Sequence, residues 1–329
     1  MQNPDDILSI ENLTIHYETD EGSVHALNEV SLAMKRGETL GLVGETGAGK
    51  TTLARGILRL VPSPPGVIKQ GSVFFEGQDL LSLNESKMRS IRGSRISMIF
   101  QDPMTSLNPV MTVGEQIQEV VEVHNRDLKR EEIVRQADAM LEMVGIPSER
   151  SHEFPHQFSG GMKQRVIIAI ALACNPVLLI ADEPTTALDV TIQAQVLDMI
   201  TALKKRLNTA MLLITHDLGV VAQNCDRVAI MYAGQIIELG NLDDIFKRPT
   251  HPYTKGLLGS IPSLTKDVKR LSPIKGLMPD PTDLPPGCKF APRCRFVTEA
   301  CERAMPEPTH LSKTHQVRCI LAEAEVRNG

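Results

Sequence analysis

The sequence predicts an α/β fold: a mainly parallel sheet, preceded by an antiparallel strand layer, interrupted by a helical block and followed by a small irregular extension. Three observations carry this expectation. Short apolar runs at 39–43, 177–181 (VLLIA) and 210–215 (AMLLIT) alternate with helical stretches, the pattern of buried parallel strands joined by crossover helices. Residues 7–39 instead alternate apolar and polar, as half-buried antiparallel strands do. After residue 241 the composition shifts, and more than half of the 21 prolines lie between positions 249 and 308.

Taken in order, ILSIENLTIHY and VHALNEVSLAM read as two strands joined by a loop at 19–23. The run at 39–43 leads into GETGAGKTTLARGILRL, a glycine-rich loop opening a helix that PSPPG stops. Strands are expected at 71–76 and 95–100, and a helical pattern from 112 to about 173, broken at Gly145-Ile146-Pro147 and at Phe154-Pro155. A buried strand (177–181), a helix (191–207), a second buried strand (210–215), a short helix and a hairpin turning at Ala233-Gly234 follow. The resulting division is 1–240 as one domain, with the helical subdomain at about 102–175, and 241–329 as the extension.

The 329 residues carry a net charge of −5, no Trp and only 3% aromatic side chains, which argues against a basic, base-stacking nucleic-acid surface. The start, MQNPDDILSIENL, lacks a basic segment followed by an apolar one, so no signal peptide is expected. The apolar run at 166–174 is about half a bilayer span, so any meeting with a membrane is expected to go through a partner.

Gly44-Glu45-Thr46-Gly47-Ala48-Gly49-Lys50-Thr51, followed by Thr52, fits G-x-x-x-x-G-K-[ST] between a strand and a helix. Glycines there let backbone N–H groups wrap phosphate oxygens, and the helix start adds positive potential. Lys50 can neutralise β/γ phosphates and the Thr51 hydroxyl can ligate Mg²⁺. LLIADEP places Asp182 and Glu183 at a strand end, where one carboxylate can serve a Mg²⁺ shell and the next polarise an attacking water. Gln101, after ISMIF, can reach Mg²⁺ or that water, and His216, after AMLLIT, can contact a γ-phosphate. In FSGGMKQR (158–165), Ser159 reads as an N-cap, with Gly160 and Gly161 exposing N–H groups at a helix start. This second anion site lies 109 residues beyond Lys50, a separation that a dimer explains if each copy caps the nucleotide held by the other.

In this order and spacing GETGAGKTT, Gln101, FSGGMKQR, LLIADEP, ALD (187–189) and His216 resemble an ABC-type ATPase over residues 1 to about 240. The resemblance implies a P-loop NTPase fold of the ABC type, with an antiparallel β subdomain and an inserted helical subdomain. It implies ATP as ligand, Tyr17 stacking on adenine, Glu183 as catalytic base, His216 as switch histidine and Asp189 as the residue that speaks across the dimer. The commonest signature in the family is LSGGQ; here Phe158 and Met162 flank Ser-Gly-Gly. QDPMTSLNPVMTVGEQI, RPTHPYTKGLLGSIP (248–262) and the cysteine-bearing tail are similar to ATP-binding subunits of bacterial dipeptide/oligopeptide importers. That implies two membrane permease subunits, a second and paralogous ATPase subunit, an extracytoplasmic peptide-binding protein, and a place on the cytoplasmic face of the inner or plasma membrane. A soluble ABC ATPase acting on ribosomes or DNA is the alternative. The single P-loop, the lack of a heptad array and the negative charge weigh against it.

Four of the six cysteines form the pattern Cys288-x5-Cys294-x6-Cys301-x17-Cys319. A reducing compartment disfavours disulfides, and no gap is as short as the paired spacing usual for structural zinc. Cys174 and Cys225 read as small packed residues. Spacing alone leaves an iron–sulfur cluster and zinc both open; the family resemblance implies a [4Fe–4S] cluster, with zinc as the alternative.

Overall fold

The computed structural model describes residues 5–101, 106–186, 189–260 and 274–322. β1 (Asp6–Thr19) and β2 (Gly22–Lys35) form the expected hairpin, turning at Asp20-Glu21, and β3 (Thr39–Val43) is buried throughout. Next come α1 (Lys50–Ile57), β4 (Gly66–Phe75), β5 (Gln78–Asp79), α2 (Glu85–Ile91) and β6 (Ile96–Ile99). The helical block comprises α3 (Val113–His124), α4 (Arg130–Met143) and α5 (Gly160–Leu172). β7 (Leu178–Asp182), α6 (Val190–Leu207), β8 (Ala210–Ile214), α7 (Leu218–Asn224), β9 (Arg227–Tyr232) and β10 (Gln235–Asn241) follow. The chain closes with α8 (Leu242–Lys247), α9 (Pro252–Gly259), α10 (Glu299–Arg303), β11 (Thr309–His310) and β12 (Gln316–Val317).

The chain divides into two compact units. The first takes Met1–Leu8, Met34–Thr39 and Phe75–Ile214. Its sheet runs β8-β7-β6, all parallel, with Ile99 opposite Ala181 and Asp182 opposite Ile214. Every residue of β7 and β8 is buried, which is why both read as unbroken apolar runs rather than alternating ones. α3 starts at a capping box in which Glu115 N donates to Thr112 Oγ1 and Thr112 N to Glu115 Oε2, at 3.2 and 2.8 Å. The helical block has a break the apolar period did not reveal, between α3 and α4. There Asn125 Nδ2 donates to Val121 O (2.9 Å) while Lys129 N donates to Glu132 Oε2 (2.8 Å), so side chains end one helix and open the next.

The second unit takes Ser9–Ala33, Leu40–Phe74 and Thr215–Gly329. β3 lies parallel to β9, with Val43 opposite Ile230, and β9 and β10 form the expected hairpin through Ala233-Gly234, both at positive φ. Beyond β10 the sequence predicts only an irregular appendage. Within it the structure adds two short strands, β12 pairing antiparallel with β10 and β11 with β12, which extends the sheet in the order β11-β12-β10-β9-β3. The physical reason is a buried carboxylate. Glu238 in β10, 1% exposed, accepts from the backbone N–H groups of Thr250 (2.8 Å) and His251 (3.1 Å) and is bonded to His315 Nε2 (2.9 Å). A carboxylate is tolerated at that depth only with such partners, and they draw the segments at 250 and 315 onto the strand.

Candidate functional site

In the second unit, the loop between β3 and α1 is shaped by close backbone approach. A Cβ on Gly44 would lie 2.3 Å from Met231 O, and one on Gly49, at φ +102°, 2.5 Å from Ala26 O. Only glycine fits at either position. Lys50 is 7% exposed, and its Nζ donates to Gly44 O (2.7 Å) and Glu45 O (3.0 Å), holding the ammonium over the start of the loop. Thr46 and Gly47 are exposed at the loop tip, Ala48 is buried, and Thr51 and Thr52 lie half-buried in the first turn of α1. Tyr17 is half-buried in β1, its ring edge 3.1 Å from where a Cβ on Gly66 would sit. His216 is exposed, directly after Thr215, whose N–H donates to Leu42 O (3.3 Å) at the end of β3. His216 is thereby set beside the strand that delivers the loop.

In the first unit, the ends of two neighbouring parallel strands bring Gln101 and Glu183 together, with Gln101 Nε2 3.4 Å from Glu183 Oε2. Asp182, 1% exposed, is the last residue of β7. Glu183 has φ +48°, a conformation that non-glycine residues adopt at a cost of about 1–3 kcal/mol. Its N–H donates to Ile214 O (2.9 Å) and its carboxylate accepts from Thr186 Oγ1 (3.0 Å), so the strained residue is held from three sides. Ser159 caps α5, its Oγ accepting from Met162 N at 3.4 Å, and the exposed Gly160 meets nothing where a Cβ would be. Gly161 has no such freedom, because a Cβ there would lie 2.9 Å from Ile192 Cγ2. Asp189 caps α6 by accepting from Ile192 N (3.0 Å), while Ala187 and Leu188 of ALD lie outside the described residues, as do 102–105 after Gln101 and 261–262 of the later motif.

Sequence reasoning missed three supporting residues. Gln164, fully buried in α5, donates to Pro184 O and so ties the signature helix to the segment carrying Glu183. Arg150 places its guanidinium 4.5 Å from the centroid of the Phe158 ring, donates to Met162 Sδ (3.6 Å) and pairs with Glu153. The two positions where the signature departs from LSGGQ thus share one arginine, an aromatic face on one side and a soft sulfur acceptor on the other. Tyr253, in the HPYT stretch, is fully buried and accepts from Glu45 N (3.1 Å). Each partner lies too far along the chain for spacing to have found it, except Glu153.

The four C-terminal cysteines line one apolar pocket with Phe290, Ile320 and Leu321. As packed it has room for about 10 Å³, one water's worth. Phe296 N donates to Cys294 Sγ (3.4 Å). Burial pushes the thiols of Cys288 and Cys294 up, and that of Cys319 to about 11. All six cysteines are free thiols. Among the described residues, no three His, Cys, Asp or Glu side chains close into a set that could hold a metal ion. The four thiols therefore line one pocket, Cys288, Cys301 and Cys319 buried and Cys294 half-buried, but the structure does not show a finished cluster site.

Two family descriptions match the chain: "ABC transporter" over residues 27–186 and "Oligopeptide/dipeptide transporter, C-terminal region" over 237–301. The oligopeptide transport ATP-binding protein OppD of Bacillus subtilis (strain 168) is 50% identical over 318 residues, covering 96% of this chain and 88% of the relative. The dipeptide transport ATP-binding protein DppD of the same organism is 48% identical, covering 98% and 97%. Among solved structures, a dimeric ATP-binding cassette in a post-hydrolysis state, bound to ADP and Pi, is 28% identical with a TM-score of 0.64, covering 71% of this chain and 98% of that one. With its glycine loop, its buried Asp182 and restrained Glu183, and its capped Ser-Gly-Gly helix, the chain belongs to the ABC transporter ATPases, among the oligopeptide and dipeptide transport ATP-binding proteins.

Proposed function

We propose that this ATPase energises the uptake of di- or oligopeptides by a bacterial ABC importer. It would work on the cytoplasmic face of the membrane with two permease subunits, a paralogous second ATPase subunit and an extracytoplasmic peptide-binding protein. The near-full-length relatives named for oligopeptide and dipeptide transport support this reading, and they lend none to the alternative of a soluble ATPase acting on ribosomes or DNA. Among the described residues no helix is long and apolar enough to cross a membrane. Residues 1–240 are read as the ATPase domain, with the helical subdomain at about 102–175, and 241–329 as the transporter-type extension.

The observation that carries the reading is the restraint on Glu183, whose backbone and carboxylate are fixed by Ile214, Gln101 and Thr186 immediately after a buried aspartate. In this reading Tyr17 stacks on adenine, while the N–H groups of residues 44–52 and the Lys50 ammonium bind the β and γ phosphates. Glu183 takes a proton from a water as its oxygen attacks the γ-phosphorus; the bond to the β-bridging oxygen breaks and ADP leaves. Gln101 orients that water and His216 contacts the γ-phosphate. The Thr51 hydroxyl, the Gln101 amide oxygen and the Asp182 carboxylate are hard oxygen donors of the kind Mg²⁺ takes, and would hold it. When bound, Mg²⁺ neutralises phosphate charge. Ser159, Gly160 and Gly161 offer their helix-start N–H groups to the ATP of the partner subunit.

The test is Glu183→Gln in the assembled complex. ATP binding is expected to persist while phosphate release falls about 100-fold or more. Turnover equal to wild type contradicts the assignment.

Cys288, Cys294, Cys301 and Cys319 are read as ligands of a [4Fe–4S] cluster, zinc being the alternative. Their number, their shared pocket and the Phe296 N–H aimed at the Cys294 sulfur support this. Bound there, such a group cross-links a segment short of apolar core. Anaerobically purified protein is expected to carry about four iron and four sulfide per chain; stoichiometric zinc without iron overturns the reading.

A further inference from the structure

The cysteine-bearing extension reaches the phosphate loop itself. Arg293, next to Cys294, is 5% exposed at its side chain and pairs with the Glu45 carboxylate through Nη1, at 3.2 and 3.0 Å from the two oxygens. The rest of the guanidinium is held in place: Nη1 also meets Tyr232 Oη (3.3 Å), Nε donates to Lys275 O (3.1 Å) and Nη2 lies 3.5 Å from Ile274 O. A second contact falls on the same residue, since Tyr253 Oη accepts from Glu45 N (3.1 Å). A third falls two residues on, where Met278 Cε lies 3.0 Å from the place a Cβ on Gly47 would take. Behind these contacts, Tyr232, Tyr253 and Phe290 form an aromatic cluster with centroids 4.6 to 5.5 Å apart, and Phe290 also lines the cysteine pocket. A continuous packed path therefore joins that pocket to Glu45, inside one compact unit.

We propose that Arg293, with Tyr253, positions Glu45 and through it the phosphate loop, so that the C-terminal extension sets how tightly the chain holds ATP. Arg293 is a positioning residue, because its contacts are with Glu45 and the extension. A guanidinium fork held by two carbonyls and a phenol has one orientation, and a part-buried carboxylate bonded to it fixes the backbone at Glu45. The amides after Glu45 are those a phosphate must find already aligned, and misalignment is read as weaker binding rather than slower chemistry. Coupling between Arg293 and Glu45 is read by a double-mutant cycle.

The inference rests on the ATP-binding reading, and the experiment separates the two. In the full-length chain within its complex, Arg293→Gln, Glu45→Gln and the double variant are compared for KM and kcat of ATP hydrolysis and for affinity toward N-methylanthraniloyl-ATP. Each single variant is expected to raise KM about fivefold, with kcat within about twofold, and the double variant to lose no more than either single one. Amide hydrogen exchange at residues 44–50 is expected to quicken about fivefold in the same variants without added nucleotide. Unchanged KM in Glu45→Gln, whose side chain is 32% exposed and whose fold is not at risk, overturns the proposal even if Arg293→Gln fails to fold. Effects of the two substitutions that simply add overturn it as well. Lys50→Ala is the control: if it binds the fluorescent nucleotide like wild type, the ATP-binding reading falls and the proposal with it. If it abolishes binding while Glu45→Gln and Arg293→Gln bind normally, the proposal alone falls.

Discussion

In the glycine loop at 44–51 the shape is set by backbone, with Gly44 and Gly49 pressed against Met231 O and Ala26 O. In the extension at 285–319 the working groups are side chains: four thiols on one pocket, Arg293 on Glu45, and His315 on a buried carboxylate. The first region has no room for an added atom at Gly44 or Gly49, whereas the second depends on keeping its partners. The difference teaches where each is vulnerable. Where glycines shape the backbone, the loop fails through sterics; a segment organised by buried polar groups fails when one of them titrates or disappears.

The sharpest way to break that contrast is Gly49→Ala. At φ +102° and 2.5 Å from Ala26 O, the new methyl is expected to cost about 2–4 kcal/mol and to lower ATP affinity at least tenfold. Denaturant unfolding and nucleotide titration measure the two, and a variant with wild-type values would show that the loop has slack the geometry denies.

A smaller effect is expected on the other side, from His251. Desolvation, partly opposed by Glu238 and reinforced by Lys255, lowers its pKa from 6.5 to about 4. The folded state thus holds His251 neutral while the unfolded chain protonates it. The stability this provides is present above about pH 6.5 and is lost as pH falls toward about 4. His251→Asn keeps a side-chain acceptor for Tyr253 N at the start of α9 and removes the titration, so unfolding between pH 7 and about 4 should flatten. An equally steep profile in the variant would assign the acid sensitivity elsewhere.

The same contrast explains what was readable in advance. The loop, the Asp182-Glu183 strand end and the Ser159 cap were legible because each is a contiguous motif whose period and end chemistry act locally. The α3–α4 break at Asn125 was missed because a side-chain cap, not a change of period, ends the helix. Within the irregular extension, β11 and β12 were not foreseen, because proline density masks short strands that exist only by pairing with β10 and by satisfying Glu238. Arg293 was invisible for the plainest reason: its partner lies 248 residues away.

The most direct test of the account is Ser159→Asp in the assembled complex. Aspartate caps a helix as well as serine does, so α5 should be preserved while a negative charge replaces the hydroxyl at the point meant to face the partner's γ-phosphate. The account predicts that ATP turnover falls about 100-fold or more with the thermal midpoint unchanged; turnover within twofold of wild type would contradict it.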